Sequence, residues 1–243
     1  YAQRYDANGI AQGSEFKVNT YTTIDQYDAA ITALSNGGFL VTWSSTGQDG
    51  SGLGIYAQRY DANGVAQSSE FKVNTYTTID QYESSITTLT NNGGFVVTWT
   101  SSGQDGNGTG IYAQRYNTNG IAQGAEFKVN TFVTGDQTNS SIIALSGGGF
   151  VVTWTSSGQD GSGAGIYAQR YNDLGVAQNG EFKVNTFIAG GQTHPSITAL
   201  TNGGFVVTWE SAGQDGNGSG IYAQRYNANG VAQGSEFKVN TLI

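Results

Sequence analysis

The stretch GGFVVTWTSSGQDGSGAGIYAQRY, Gly148–Tyr171, decides the fold. It opens on a glycine pair, runs through β-branched and aromatic residues to Trp154, breaks at a loop rich in Gly and Asp, and resumes as a second apolar run ending at Tyr171. Short runs of this composition between turn-forming residues read as β-strands. In the preceding copy of the same pattern, four such runs follow one another: Ser85–Leu89, Gly94–Trp99, Ile111–Tyr116 and Glu126–Asn130. The first two are joined by a Gly turn (Asn36-Gly37, Asn92-Gly93, Gly147-Gly148 and Asn202-Gly203 in successive copies) and the last two by turns such as Asp61-Ala62-Asn63-Gly64. Both suit the left-handed backbone of tight hairpins, so consecutive strands are expected to pair antiparallel. The second strand does not alternate, as expected of a strand covered on both faces. No stretch carries helical periodicity.

Outward from this stretch the pattern covers the chain. YAQRY recurs at Tyr1, Tyr56, Tyr112, Tyr167 and Tyr222, at spacings of 55, 56, 55 and 55, which divides the single repeat domain 1–243 into units 1–55, 56–111, 112–166, 167–221 and a partial 222–243. The one extra residue falls in the Asn91-Asn92-Gly93-Gly94 turn. Each copy carries one Arg and one Lys, which accounts for all ten basic residues. A repeat of about 55 residues with four antiparallel strands and one core Trp (Trp43, Trp99, Trp154, Trp209) predicts an all-β fold, a β-propeller of about five blades. An open β-solenoid-like array is the alternative, disfavoured because solenoid strands pair with the next coil and not by hairpins. There are five copies of the third and fourth strands and four of the first and second. The expectation is therefore a piece of a longer array, ahead of an open arc or of a ring or fibre completed by another chain through unpaired edges.

Composition excludes several classes. With no Cys there is no disulfide framework or thiolate chemistry, and a net charge of −8 disfavours nucleic-acid partners and anionic membrane. No apolar run approaches the roughly 18 residues of a membrane span. The chain starts at Tyr1 without a signal-peptide pattern, which leads to the expectation of a processed product or a segment of something longer.

The Gly148–Tyr171 run, followed by NGEFKVNTF (Asn179–Phe187) and HPSITAL (His194–Leu200), resembles a tandem repeat of very large secreted bacterial surface proteins that often also carry RTX-type calcium-binding or cadherin-like modules. The resemblance implies an extracellular or cell-surface adhesin, matrix or coat component. It supplies no catalytic residues. The proline of the PSITAL-type strand stands only at Pro195, where the other units have Ala30, Ser85 and Ser141 nearby.

Four features are candidate sites. The GQDG loop places Asp49, Asp105, Asp160 and Asp215, and two copies continue with Asn107 and Asn217 in the opening pattern of a calcium loop. The bidentate carboxylate of such a loop is missing, with Tyr116 and Tyr226 in its place, so a Gly-rich turn capped by its own Asp competes with calcium as cofactor. The YAQRY strand offers aromatic faces and hydrogen-bond donors for sugars at Tyr56, Arg59, Tyr112, Arg115, Tyr167 and Arg170. Against that stands a bracing role, with Arg paired to a carboxylate such as Glu70 or Glu126. The EFKVNT segment reads as a charged, solvated edge strand. His194, the sole histidine, reads as a surface residue within the variable linkers Thr22–Asp28, Thr77–Glu83, Val133–Asn139 and Ile188–His194, in which the shared Gln26, Gln81, Gln137 and Gln192 read as structural.

An enzyme needs a place where the repeat symmetry breaks, and the sequence alone offers only Glu83, His194 and Glu210 for that. The resulting expectation is a non-catalytic structural or adhesive module, possessing no enzyme activity, with copies of itself, neighbouring repeats or surface glycans as partners and self-assembly through edge strands. The alternative is a multivalent glycan-binding propeller.

Overall fold

The computed structural model describes residues 1–241. Among these residues, sixteen strands form four antiparallel sheets of four. The first sheet holds β1 (Gln26–Ala33), β2 (Phe39–Thr46), β3 (Leu53–Tyr60) and β4 (Ala66–Lys72). The second holds β5 (Gln81–Thr88), β6 (Phe95–Ser102), β7 (Thr109–Tyr116) and β8 (Phe127–Lys128). The third holds β9 (Gln137–Ala144), β10 (Phe150–Ser157), β11 (Ala164–Tyr171) and β12 (Ala177–Lys183). The fourth holds β13 (Gln192–Ala199), β14 (Phe205–Ala212), β15 (Ser219–Tyr226) and β16 (Phe237–Lys238). In every sheet spatial order equals chain order, because each connection is a hairpin. This is the β-propeller arrangement, and the solenoid alternative fails because strands pair within a repeat.

The hairpins form where the glycines allow them. Gly37, Gly93, Gly148 and Gly203 all have positive φ in the turn between the first and second strands. In the turn after the third strand, the Asp61 carboxylate accepts the amides of Asn63 and Val65 at 2.8 and 2.9 Å. The sheets straddle the YAQRY boundaries, taking their first two strands from one unit and their last two from the next. Residues 1–16 form a further strand pair through the bridges Ala2–Phe16 and Tyr5–Ala11, packed on the first sheet with Phe16 against Tyr60.

The core lies between sheets. In the cluster between the first and second, Leu40, Ile55 and Val73 of one meet Phe95, Val97 and Trp99 of the other. That is why the second strand is apolar on both sides: β6 and β10 are buried over seven of their eight residues. All four Trp side chains are buried. Three hydrogen-bond sets repeat at each junction, and two of them were not expected. The second Tyr of YAQRY stacks on the Phe of its own sheet (Tyr116 on Phe95, 4.9 Å between centroids) and donates its hydroxyl to the Val73 carbonyl of the preceding sheet at 3.2 Å.

The Arg reaches forward to a turn of the following sheet, Arg59 to the Asn119 carbonyl at 2.7 Å and Arg115 to that of Leu174 at 2.7 Å. The bracing role expected for Arg thus exists, but its acceptor is backbone and not the carboxylate of Glu70 or Glu126. The Glu of EFKVNT reaches back: Glu126 accepts the Thr75 amide at 2.6 Å and the Gln104 side chain at 2.5 Å. The expectation of a merely solvated charge is corrected here, since that Glu ties the GQDG loop of its own sheet to the backbone of the preceding one.

Candidate functional site

The first strand of every sheet contains a bulge at the same place. Register jumps from Tyr82↔Thr100 to Ser85↔Thr98, so Glu83 and Ser84 together oppose Trp99. The corresponding pairs are Asp28-Ala29, Asn139-Ser140 and His194-Pro195. Pro195 is tolerated in a strand because it occupies this unpaired position. The leading residue of each pair sits in the left-handed region, with φ of 53° for Asp28, 54° for Glu83, 55° for Asn139 and 53° for His194. For residues other than Gly this conformation is uncommon and costs on the order of 1 kcal/mol each.

Bulges re-aim side chains, and here they re-aim them to one place. The first strands of successive sheets lie beside one another, and all four bulges border a single open cavity of about 380 Å³. Its rim carries Asp28, Glu83, Asn139 and His194 over a floor of small residues such as Ser84 and Ser140. The bulges are locked from sheet to sheet. Thr42 Oγ1 meets Ser84 Oγ at 2.9 Å, Thr98 Oγ1 meets Ser140 Oγ at 3.0 Å, and the His194 amide donates to Thr155 Oγ1 at 3.2 Å. Glu83 Oε2 accepts the Asn139 amide at 3.3 Å. His194 Nδ1 lies 3.1 Å from Thr193 Oγ1 and 3.6 Å from Glu210 Oε2 on β14. Tyr82, next to Glu83, has its phenol pushed above the usual range by burial and then by the charges of Glu83, Asp136 and Asp80.

These are the positions where a near-perfect repeat stops repeating. Sequence reasoning had isolated Glu83, His194 and Glu210 but treated His194 as a surface residue of a linker. Asp28 and Asn139 were missed as their partners. The signal was available in the alignment of the repeats, where all four end the variable linkers, but only the shared bulge shows that they converge.

The other expected site residues are placed differently. Tyr56, Tyr112 and Tyr167 are buried in the clusters between sheets, and burial pushes each phenol up to about 12, helped by Asp49, Asp105 and Asp160 respectively. Arg59, Arg115 and Arg170 are spent on the junction carbonyls, Arg170 on Asn229 at 3.0 Å. In the GQDG loops the Asp closes its own turn: Oδ1 of Asp49 accepts the Ser51 amide at 3.2 Å, Asp105 that of Asn107 at 3.3 Å, and Asp160 that of Ser162 at 3.1 Å. Lys238 Nζ lies 2.8 Å from Asp215 Oδ2 and holds that carboxyl below its usual range, first by this hydrogen bond. Lys128 Nζ stands 3.9 Å from Asp105. Asn107 and Asn217 are exposed. Among the described residues no group of three or more His, Asp or Glu side chains is placed to hold a metal, and no helix is long and apolar enough to cross a membrane.

No protein-family profile and no curated protein sequence matches the chain. Solved structures do. The chain is similar to a protein of unknown function from Dyadobacter fermentans (TM-score 0.65, 9% identity, 88% of this chain and 68% of that one). It is similar to the GH93 α-L-arabinofuranosidase of Fusarium graminearum, solved with arabinobiose (TM-score 0.62, 12% identity, 88% and 66%). It is also similar to an endo-arabinase from Bacteroides thetaiotaomicron (TM-score 0.53, 15% identity, 87% and 80%). At such identities the likeness carries the fold.

That fold is one on which glycoside hydrolases are built, and this overturns the expectation of a non-catalytic, adhesive, self-assembling module with no enzyme activity. The physical reason is specific. The expectation rested on finding no place where symmetry breaks, and the bulges bring four unlike side chains, two of them carboxylates, to one cavity.

Proposed function

We propose that the protein is a carbohydrate-active enzyme that cleaves glycosidic bonds at the cavity ringed by the bulges. The observation that carries this reading is the convergence of Asp28, Glu83, Asn139 and His194, each in the same strained conformation, on one cavity. Strained backbone kept four times over at positions of differing chemistry is what a site requires and what packing alone does not.

Glycoside hydrolysis uses two carboxyl groups, one to protonate the leaving oxygen and one to act as base or nucleophile. Asp28 and Glu83 come from adjacent sheets and supply both. Glu83, which accepts the Asn139 amide, takes the base or nucleophile role, and the more open Asp28 takes the acid role. His194, steadied through Nδ1 by Thr193 and Glu210, leaves its other ring nitrogen for a sugar hydroxyl. The neighbours narrow the substrates to try to arabinosyl and xylosyl linkages. Surface glycans, expected as partners, are substrates in this reading, and an extracellular setting suits it.

A ring of about five blades is part of the proposal. It is supported by the way residues 1–16 pack on the first sheet, with Tyr60 donating to the Val18 carbonyl just as Tyr116 donates to that of Val73.

The test is hydrolysis of nitrophenyl α-L-arabinofuranoside and β-D-xyloside and of linear arabinan and xylan. Turnover is expected in the native protein and is lost in Glu83→Gln and Asp28→Asn, both of which keep the native melting temperature. Turnover that survives both substitutions, or none on any of these substrates, refutes the assignment.

A further inference from the structure

The same sheet-to-sheet junction is filled three times in this molecule and left open once. In a complete sheet the YAQRY strand lies between two neighbours, with Trp43 opposite Tyr56 and Phe39 opposite Tyr60 on its inner side. At residues 1–5 only the outer neighbour is present, through the bridges to Phe16 and Ala11. Tyr1 is consequently 80% exposed where Tyr56 is 6%. The face of the first sheet that looks onto this gap is bare as well: Ile31 is 64% exposed, against 5% for Ile142 and 8% for Ile197 at the same position of later sheets.

Two cavities mark the space, one of about 450 Å³ bordered by Tyr5, Ile31 and Phe39, the other of about 110 Å³ bordered by Tyr1, Val41 and Trp43. The far end of the array shows the counterpart. Val239 of the last repeat is 51% exposed, whereas Val73, Val129 and Val184 are 2 to 3% exposed beneath the strands of a following sheet.

We infer that this gap is a docking site for one β-hairpin of the repeat's own kind, a first and second strand carrying the Phe-x-Val-x-Trp pattern. Three filled junctions specify the occupant. Its second strand pairs antiparallel with the free edge of residues 1–5, placing Trp opposite Tyr1 and Phe opposite Tyr5, as in the register Trp43↔Tyr56 and Phe39↔Tyr60. One face of that strand, the position of Val151 in β10, covers Ile31, Phe39 and Val41; the other, the position of Phe150, Val152 and Trp154, is left for a sheet like the one bearing Val239. The affinity comes from edge pairing and the selectivity from alternate side chains, the logic of β-strand addition. A docked hairpin also brings a fifth bulge residue toward the cavity, although the inference does not depend on the catalytic reading.

The test uses the full chain and a synthetic peptide of its own residues 190–213, which span β13 and β14. The peptide is expected to bind one to one, to raise the melting temperature, and to slow amide exchange at residues 2–5 by at least about tenfold. The same peptide with Val206 and Trp209 changed to Ser is expected to do none of these. Because an isolated hairpin is marginal in water, a second arm appends residues 190–213 after Ile243, and there the slowed exchange at residues 2–5 is expected without added peptide. Unchanged exchange in both arms overturns the inference. So does concentration-dependent growth of the unmodified chain that protects the same amides, since that makes a second copy the occupant.

Discussion

Replacing Glu126 by Ala removes one carboxylate that three donors share: the Thr75 amide at 2.6 Å, the Thr75 hydroxyl at 3.0 Å and the Gln104 side chain at 2.5 Å. Hydrogen bonds to a charged group are each worth roughly 1.5–3 kcal/mol, and the half-buried Gln104 amide is stranded when its acceptor goes. Partial exposure of the site screens the charge, so the net loss is about 2–3 kcal/mol rather than the sum. In a chain of this size each kcal/mol moves the melting temperature by about 2–4 °C, giving a fall of about 4–12 °C. The molecule contains its own control. Glu15 is the same residue in the same EFKVNT segment, but it is exposed and has no preceding sheet to hold, so Glu15→Ala is expected to stay within about 0.5 kcal/mol. The assay is thermal unfolding of both variants by circular dichroism. Equal melting temperatures for the two would refute the claim that this Glu clips sheet to sheet.

Trp99→Ala is expected to cost about 3–5 kcal/mol, since the indole is fully buried between sheets, and a melting temperature within a degree of native would show that the core has been misplaced. Gly94→Ala would put a Cβ 2.3 Å from the Tyr116 carbonyl oxygen and is expected to lose about 1–3 kcal/mol, whereas Gly147→Ala meets nothing within 4 Å and should be neutral in the same denaturant titration. Stability should also fall in alkali. The phenols of Tyr56, Tyr60, Tyr112 and Tyr167 are raised to about 12, mainly by burial, so each titrates later in the folded chain than in the unfolded one. Stability is then complete below the unfolded value of about 10 and is lost as pH rises toward 12. Melting temperatures from pH 8 to 12, read beside tyrosinate absorbance, check this, and a native protein that ionises these phenols near pH 10 would contradict it.

Much of the architecture was legible because it is local. The Gly-Gly turn before Phe150, the Asx turn at Asp61 and the two-faced run Phe150–Trp154 each act within a few residues, so repeat and composition announce hairpins and a strand covered on both sides. The buried Gln81, which accepts the Asn74 side chain at 2.9 Å, was likewise readable as structural from its recurrence. Longer reach was not legible. That Arg59 ends on the Asn119 carbonyl, 60 residues on, and Glu126 on the Thr75 amide, 51 residues back, depends on how neighbouring sheets are set against each other.

The chain's sequence by itself determined the strand pattern, the hairpin order and the Trp-centred core, since those follow from backbone preference and hydrophobic period repeated along the chain. Tertiary structure alone decided where the differences between repeats meet. A bulge that turns one residue of each first strand to positive φ is invisible in composition, yet it gathers Asp28, Glu83, Asn139 and His194 from positions about 55 residues apart onto one cavity. Residues that look like drift in four separate linkers become one site because the sheets are stacked side by side.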